Sequence, residues 1–150
     1  MLTQLLIGVS MTAITIVIGA LTIVLGIEQL QKHRGWLSQG QLLKRHVIAL
    51  TLMTTWLVAG LLFAILLWAL TLFALGIFPD FEPAIYFAMI SFTTLGFGDV
   101  ILPVEWRLLS GFIAIDGFIL FGLNTAFLFE VLRRLREETW TEKEATKTPR

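Results

Sequence analysis

No charged side chain precedes Glu28, none falls between Arg45 and Asp80, and only Asp116 interrupts residues 108–129. Uncharged apolar runs of that length are more than one 150-residue globular core can bury. Hydrophobic residues make up 57% of the chain and charged ones 15%, against roughly 25% charged in soluble domains. The chain therefore reads as an all-α protein that crosses a lipid bilayer several times. Its formal net charge of 0 gives no electrostatic basis for binding nucleic acid. With no cysteine there is no disulfide, thiolate metal site or cysteine nucleophile. His33 and His46 lie far apart without a carboxylate cluster, so no metal centre is expected there.

Three stretches are long enough to span. Residues 2–27 reach about 39 Å as a helix, against a hydrocarbon core of about 30 Å. They lack a basic leader and are too long for a signal peptide, so this reads as a retained helix. Gly8, Thr12, Thr15, Gly19, Thr22 and Gly26 step along it by 4, 3, 4, 3 and 4 residues. That spacing gathers small side chains on one face, as helix packing in membranes requires. Residues 47–75 carry no charge, and residues 108–132 follow Trp106 and Arg107, a pairing typical of the membrane interface. The expected division is an N-terminal helix over 1–28, a basic loop over 29–46, a central unit over 47–132 and a charged tail over 133–150.

Lys32, Arg34, Lys44 and Arg45 lie in the loop, and Arg133, Arg134 and Arg136 open the tail, whereas residues 76–106 contain no Lys or Arg. The positive-inside rule then predicts a cytoplasmic loop and C-terminus, with the N-terminus and residues 76–106 outside. No arginine ladder runs through the first two spans.

Between the second and third spans lies an apolar piece that is wrong for a crossing. Residues 83–94 allow about 12 helical residues, some 18 Å, which is half a membrane. Asp80, Glu82 and Pro83 suit a helix start. The glycine-containing segment that follows has non-helical backbone, which survives at membrane depth only inside protein or beside water. A re-entrant loop is expected.

That segment reads Thr93-Thr94-Leu95-Gly96-Phe97-Gly98-Asp99. It resembles the potassium-channel signature T-T-V-G-Y-G-D, with Leu95 and Phe97 in place of Val and Tyr. Over about residues 47–132 the chain resembles small bacterial potassium channels with two membrane helices and a pore loop, and it adds one N-terminal helix. The resemblance implies three transmembrane helices plus a pore helix and filter loop, assembled as a homotetramer in a bacterial inner membrane. It implies that the backbone carbonyls of Thr94, Leu95, Gly96 and Phe97, shaped by Gly98, bind K+ as permeant ion, with no further cofactor. The Thr94 hydroxyl would add an innermost ring. Carbonyl rings replace the hydration shell of the ion, and glycine adopts the required backbone angles at least cost. Leu95 changes packing, whereas Phe97 keeps an aromatic ring and loses a phenol hydroxyl.

Tyr86 stands eight residues before Thr94, where such channels often carry a Trp bonded to the acid after the filter, so the resemblance implies that Tyr86 donates to Asp99 and braces the outer mouth. Asp80, Glu82, Asp99 and Glu105 face Arg107 alone in the outer segment, which would concentrate cations. Phe118, Phe121, Thr125 and Phe129 fall on one helical face, and alignment of the last span, through Gly117 and Gly122, with the inner helix of those channels implies that this face lines a cavity or gate. By the same alignment Gly117 is a hinge candidate, though close packing explains a mid-helix glycine equally well. Asp116 falls on the opposite side. A mid-span acid is a functional hypothesis by default, and the expected role is a buried carboxyl bonded near Ser91, Thr93 or Thr55. The function expected from these features is passive potassium conduction. A weakly selective monovalent cation pore and a non-conducting scaffold are the alternatives. No nucleophile–base pair or converging carboxylates point to an enzyme.

Overall fold

The computed structural model describes residues 1–32 and 42–147. Half of the basic loop, His33 and Arg34 included, lies outside the described residues. Four helices follow in order: α1 (Leu2–Lys32), α2 (Leu42–Ala74), α3 (Phe81–Phe92) and α4 (Leu108–Lys147). No strand occurs among the described residues. Three segments are long and apolar enough to cross a membrane: Leu2–Gln29, His46–Ala74 and Leu108–Arg134. The third helix is half that length and does not span.

α2 starts five residues before the expected span, and α4 runs on through most of the charged tail. Residues 133–147 are rich in Arg, Glu and Lys and contain neither Gly nor Pro, so nothing local stops the helix before Pro149. The last apolar turns carry an ion pair from Glu130 to Arg133 at 2.9 Å and another from Glu130 to Arg134 at 2.7 Å.

α1 and α4 run parallel, side by side, and α2 runs antiparallel to both. The contacts fix that register. At one end Gln4 Oε1 accepts from the Leu108 amide at 3.1 Å, which satisfies one of the donors left free at the start of α4. A Cβ at Gly8 would clash with the Phe112 ring, and one at Gly19 would lie 2.5 Å from Leu120. Farther on, Gly26 faces Trp56 and Phe127, and the Trp56 indole donates to the Thr22 carbonyl at 2.9 Å. The small-residue seam of α1 is thus its packing face against α4 and α2. Lipid tails are as apolar as leucine, so such helices associate through close packing and hydrogen bonds rather than through burial from water.

The main core joins α2, α3 and α4. Trp68, Leu72, Phe92, Leu109 and Ile113 are fully buried in it. A second cluster of Ala49, Met53, Leu57, Phe127 and Val131 holds the other end of α2 to α4. This packing places the N-terminus, α3 and the loop after it at the same end of the bundle.

Candidate functional site

α3 begins after Asp80, whose extended backbone (φ −122°, ψ 156°) is that of an N-cap although its side chain makes no capping bond. Glu82 stands in the first turn and Pro83 is the third helical residue, where a missing amide costs nothing. The helix has 12 residues and lies two residues nearer the N-terminus than expected. Ala84, Phe87, Ala88, Ile90, Ser91 and Phe92 are buried, so both faces of its second half are packed.

The end of α3 sets the shape of the loop. The Thr94 amide donates to the Ser91 carbonyl at 3.0 Å and the Leu95 amide to the Ile90 carbonyl at 2.9 Å. That pair of bonds is a Schellman cap, which puts Thr94 in the left-handed position glycine usually takes. Its φ is +58°. α2 ends in the same motif, Gly76 donating to Phe73 at 2.9 Å and Ile77 to Leu72 at 3.3 Å, with Gly76 at φ +66°. A β-branched residue in that region costs roughly 1–2 kcal/mol where glycine costs little. The chain thus places a threonine where its other helix end uses glycine, which points to a demand on the Thr94 side chain.

Left-handed backbone recurs at every second residue: Thr94 at +58°, Gly96 at +52° and Gly98 at +78°, while Leu95 and Phe97 do not have it. The Gly96 amide also turns back to the Ile90 carbonyl, at 3.2 Å. The amides of residues 94–96 are therefore spent on the end of α3. Among the described residues no backbone hydrogen bond is accepted by the carbonyls of residues 94–97. Leu95 and Phe97 are 60% and 67% exposed, so neither side chain is packed within its own chain.

Tyr86 donates to Asp99 Oδ2 at 2.6 Å, tying the middle of α3 to the far end of the loop. That hydroxyl, helped by backbone amides, holds the Asp99 carboxyl below the usual carboxylate range.

On α4, Phe118, Phe121, Thr125 and Phe129 share one exposed face, and Phe118 is 76% exposed. Phe121 meets Phe92 edge-on with centroids 6.0 Å apart, and the Thr125 hydroxyl donates to the Phe121 carbonyl of its own helix at 2.8 Å. Gly117 lies against the end of α3, where a Cβ would overlap the Phe92 carbonyl oxygen. α4 is continuous through it, and the glycine leaves room for this close approach of the two helices.

Asp116 is fully buried, but its partners are not the expected ones. Its Oδ2 accepts from Thr15 of α1 at 2.6 Å and from the Trp68 indole of α2 at 2.7 Å. Ser91 makes no bond to it. Thr93 and Thr55 instead donate to the Met89 and Thr51 carbonyls of their own chain segments. The reason is topological: α1 lies along the side of α4 opposite its phenylalanine face. Thr15 and Trp68 carried no signal of pairing in the sequence beyond the seam that contains Thr15.

Three spanning helices, with a half-span helix ending in an irregular glycine-containing loop, define a helical pore-loop membrane protein. Residues 48–134, more than half of the chain, match the family described as Ion channel, and the chain belongs to that family. α1 lies outside the matched region. No curated protein and no solved structure matches the chain.

Proposed function

We propose that this integral membrane ion-channel protein conducts potassium selectively, as a homotetramer whose four loops of residues 94–98 form the filter. The observation that carries the reading is the alternation of backbone hand at Thr94, Gly96 and Gly98, with the neighbouring amides turned back onto α3. Alternating hand brings successive peptide groups to the same side. With the amides of residues 94–96 on α3, the carbonyls of Thr94, Leu95, Gly96 and Phe97 are free for an ion. One chain supplies one strand of such a lining, and a ring of copies completes it. The exposed Leu95 and Phe97 side chains are then covered by neighbouring copies, and the face of Phe118, Phe121, Thr125 and Phe129 lines the central cavity, where apolar constrictions gate by dewetting. The C-terminal end of α3 directs its negative dipole end toward a cation there. The loop side faces outward and the basic segments lie in the cytoplasm of a bacterial inner membrane.

Purified protein in a planar bilayer, with potassium on one side and sodium on the other, tests the reading. A reversal potential close to the potassium equilibrium value is expected. Robust current reversing near zero would move the protein to the weakly selective cation pores, and tetramers without current under any condition would make it a scaffold.

The Tyr86–Asp99 bond braces the outer mouth in this reading. Because Tyr86 favours the carboxylate, the brace is intact at neutral pH and is lost as pH falls through the lowered Asp99 value. Tyr86→Phe removes the donor and returns Asp99 toward the ordinary carboxylate range. Protonating Asp99 also removes one of the outer carboxylates that concentrate cations, so acid applied on the loop side is expected to reduce the current of Tyr86→Phe at a higher pH than that of the parent. Superimposable acid titrations of the two would refute the brace.

A further inference from the structure

α1 stands outside the ion-channel match, yet it is tied to the matched unit along its whole length. Gln4 caps α4, Thr15 bonds Asp116, and the Thr22 carbonyl receives Trp56. The middle tie differs from the other two. Asp116 is the only ionisable side chain between Arg107 and Glu130, it is fully buried, and two neutral donors from two different helices converge on one of its oxygens. Its other oxygen, Oδ1, is buried without a partner. A polar node of this kind is expensive in a membrane and would not be needed merely to hold helices that the glycine seam already packs.

Its location gives it a task. Gly117, the next residue, lies against the Phe92 carbonyl, one residue before the Thr93–Thr94 corner at which the loop begins. Phe118 follows on the opposite face. At this one level all four helices meet: Thr15 of α1, Trp68 of α2, Phe92 of α3, and Asp116 and Gly117 of α4. Rotating or sliding α4 would break both bonds to Asp116 and at the same time shift the surface on which α3 ends.

We propose that Asp116 is a positioning residue through which α1 and α2 set the rotation and height of α4 against the base of the filter, so that α1 is a working part of the conduction pathway. Asp116 touches no ion in this role. It acts through Gly117 on the end of α3 and through Phe118 and Phe121 on the cavity. The proposal rests on the channel reading above.

The test is single-channel recording from full-length protein in bilayers, with tetramer yield measured alongside. Asp116→Leu removes the acceptor and strands the Trp68 indole, while the single Thr15 hydroxyl proton turns to the Met11 or the Thr12 carbonyl, each 2.9 Å away. Trp68→Phe removes the N–H donor and the pyrrole part of the ring while keeping a buried aromatic side chain. Each is expected to lower open probability about tenfold in tetramers of normal yield, the size of effect that follows from losing one buried hydrogen bond. Asp116→Asn keeps an oxygen for both donors and is expected to restore conduction. Adding Trp68→Phe to Asp116→Leu should cost little more, because the stranded donor is gone. If Asp116→Leu does not assemble, Trp68→Phe and Asp116→Asn carry the test. Unchanged open probability in Trp68→Phe, or an Asp116→Asn channel with the full defect, overturns the positioning role. A silent parent protein is seen before any variant is compared; it overturns the channel reading and this role with it.

Discussion

In the proposed filter, Gly96→Ala is expected to abolish potassium current in assembled tetramers. The cost is in the backbone, not in crowding, since no atom of the same chain beyond the two adjoining residues lies within 4 Å of where the new Cβ would sit. Gly96 has φ +52°, and an L-residue there costs roughly 1–2 kcal/mol. Four copies around one pore bring that to ~4–8 kcal/mol, concentrated where four strands must keep a common geometry. Relief comes from turning the peptide out of the alternation, which removes a carbonyl from the lining. Gly76→Ala is the control. Gly76 has φ +66° and the same open surroundings, but sits in the Schellman cap that ends α2. It should lower thermal stability by a similar amount per chain and leave conductance and ion selectivity at parental values. Bilayer recordings of both variants, with tetramers quantified by size-exclusion chromatography, distinguish strain in general from strain in the ion path. A Gly96→Ala channel with parental conductance and selectivity would remove the loop from the ion path.

The sequence makes the membrane elements legible because two of their determinants are local. Charge exclusion marks the spans at Glu28, Arg45 and Asp80, and the short apolar stretch before Gly96 marks a helix too short to cross. The site was partly legible for the same reason: glycine at 96 and 98 announces left-handed backbone in advance. Thr94 shows the limit. Its φ of +58° is imposed by the cap on α3, and nothing in a threonine announces it. Tyr86 and Asp99 lie within one folded segment, so their proximity follows from helix length and loop length. The partners of Asp116 depend on which helix lies beside which. Residues 15, 68 and 116 come together only through tertiary packing, and a pattern confined to one helix carries no record of its neighbour. Helical spacing puts Asp116 opposite the phenylalanines but leaves the identity of the opposing helix open.

Gly117→Ala is the second variant with a large expected effect, and it separates two uses of a mid-helix glycine. A hinge needs glycine for backbone freedom. Alanine there favours the straight helix, so tetramers should form normally, resist unfolding slightly better and open less. Close packing needs glycine for room. A Cβ at Gly117 overlaps the Phe92 carbonyl oxygen, so the obstruction is backbone against backbone and no rotamer change relieves it. α3 and α4 must then separate at the level of Trp68 and Phe92, both fully buried. Overpacking costs typically ~1–3 kcal/mol per site, and an obstruction by rigid backbone belongs at the upper end. Gly122→Ala calibrates the comparison. Gly122 has no neighbouring atom within 4 Å in its own chain, and alanine is favoured over glycine in a helix by about 1 kcal/mol. Thermal unfolding of reconstituted tetramers should therefore place Gly117→Ala well below the parent and Gly122→Ala at or above it. Gly117→Ala tetramers as stable as the parent but held shut would restore the hinge. Loss of stability together with altered selectivity would show that the fit of α4 against the end of α3 shapes the filter itself, because Phe92 precedes the Thr93–Thr94 corner.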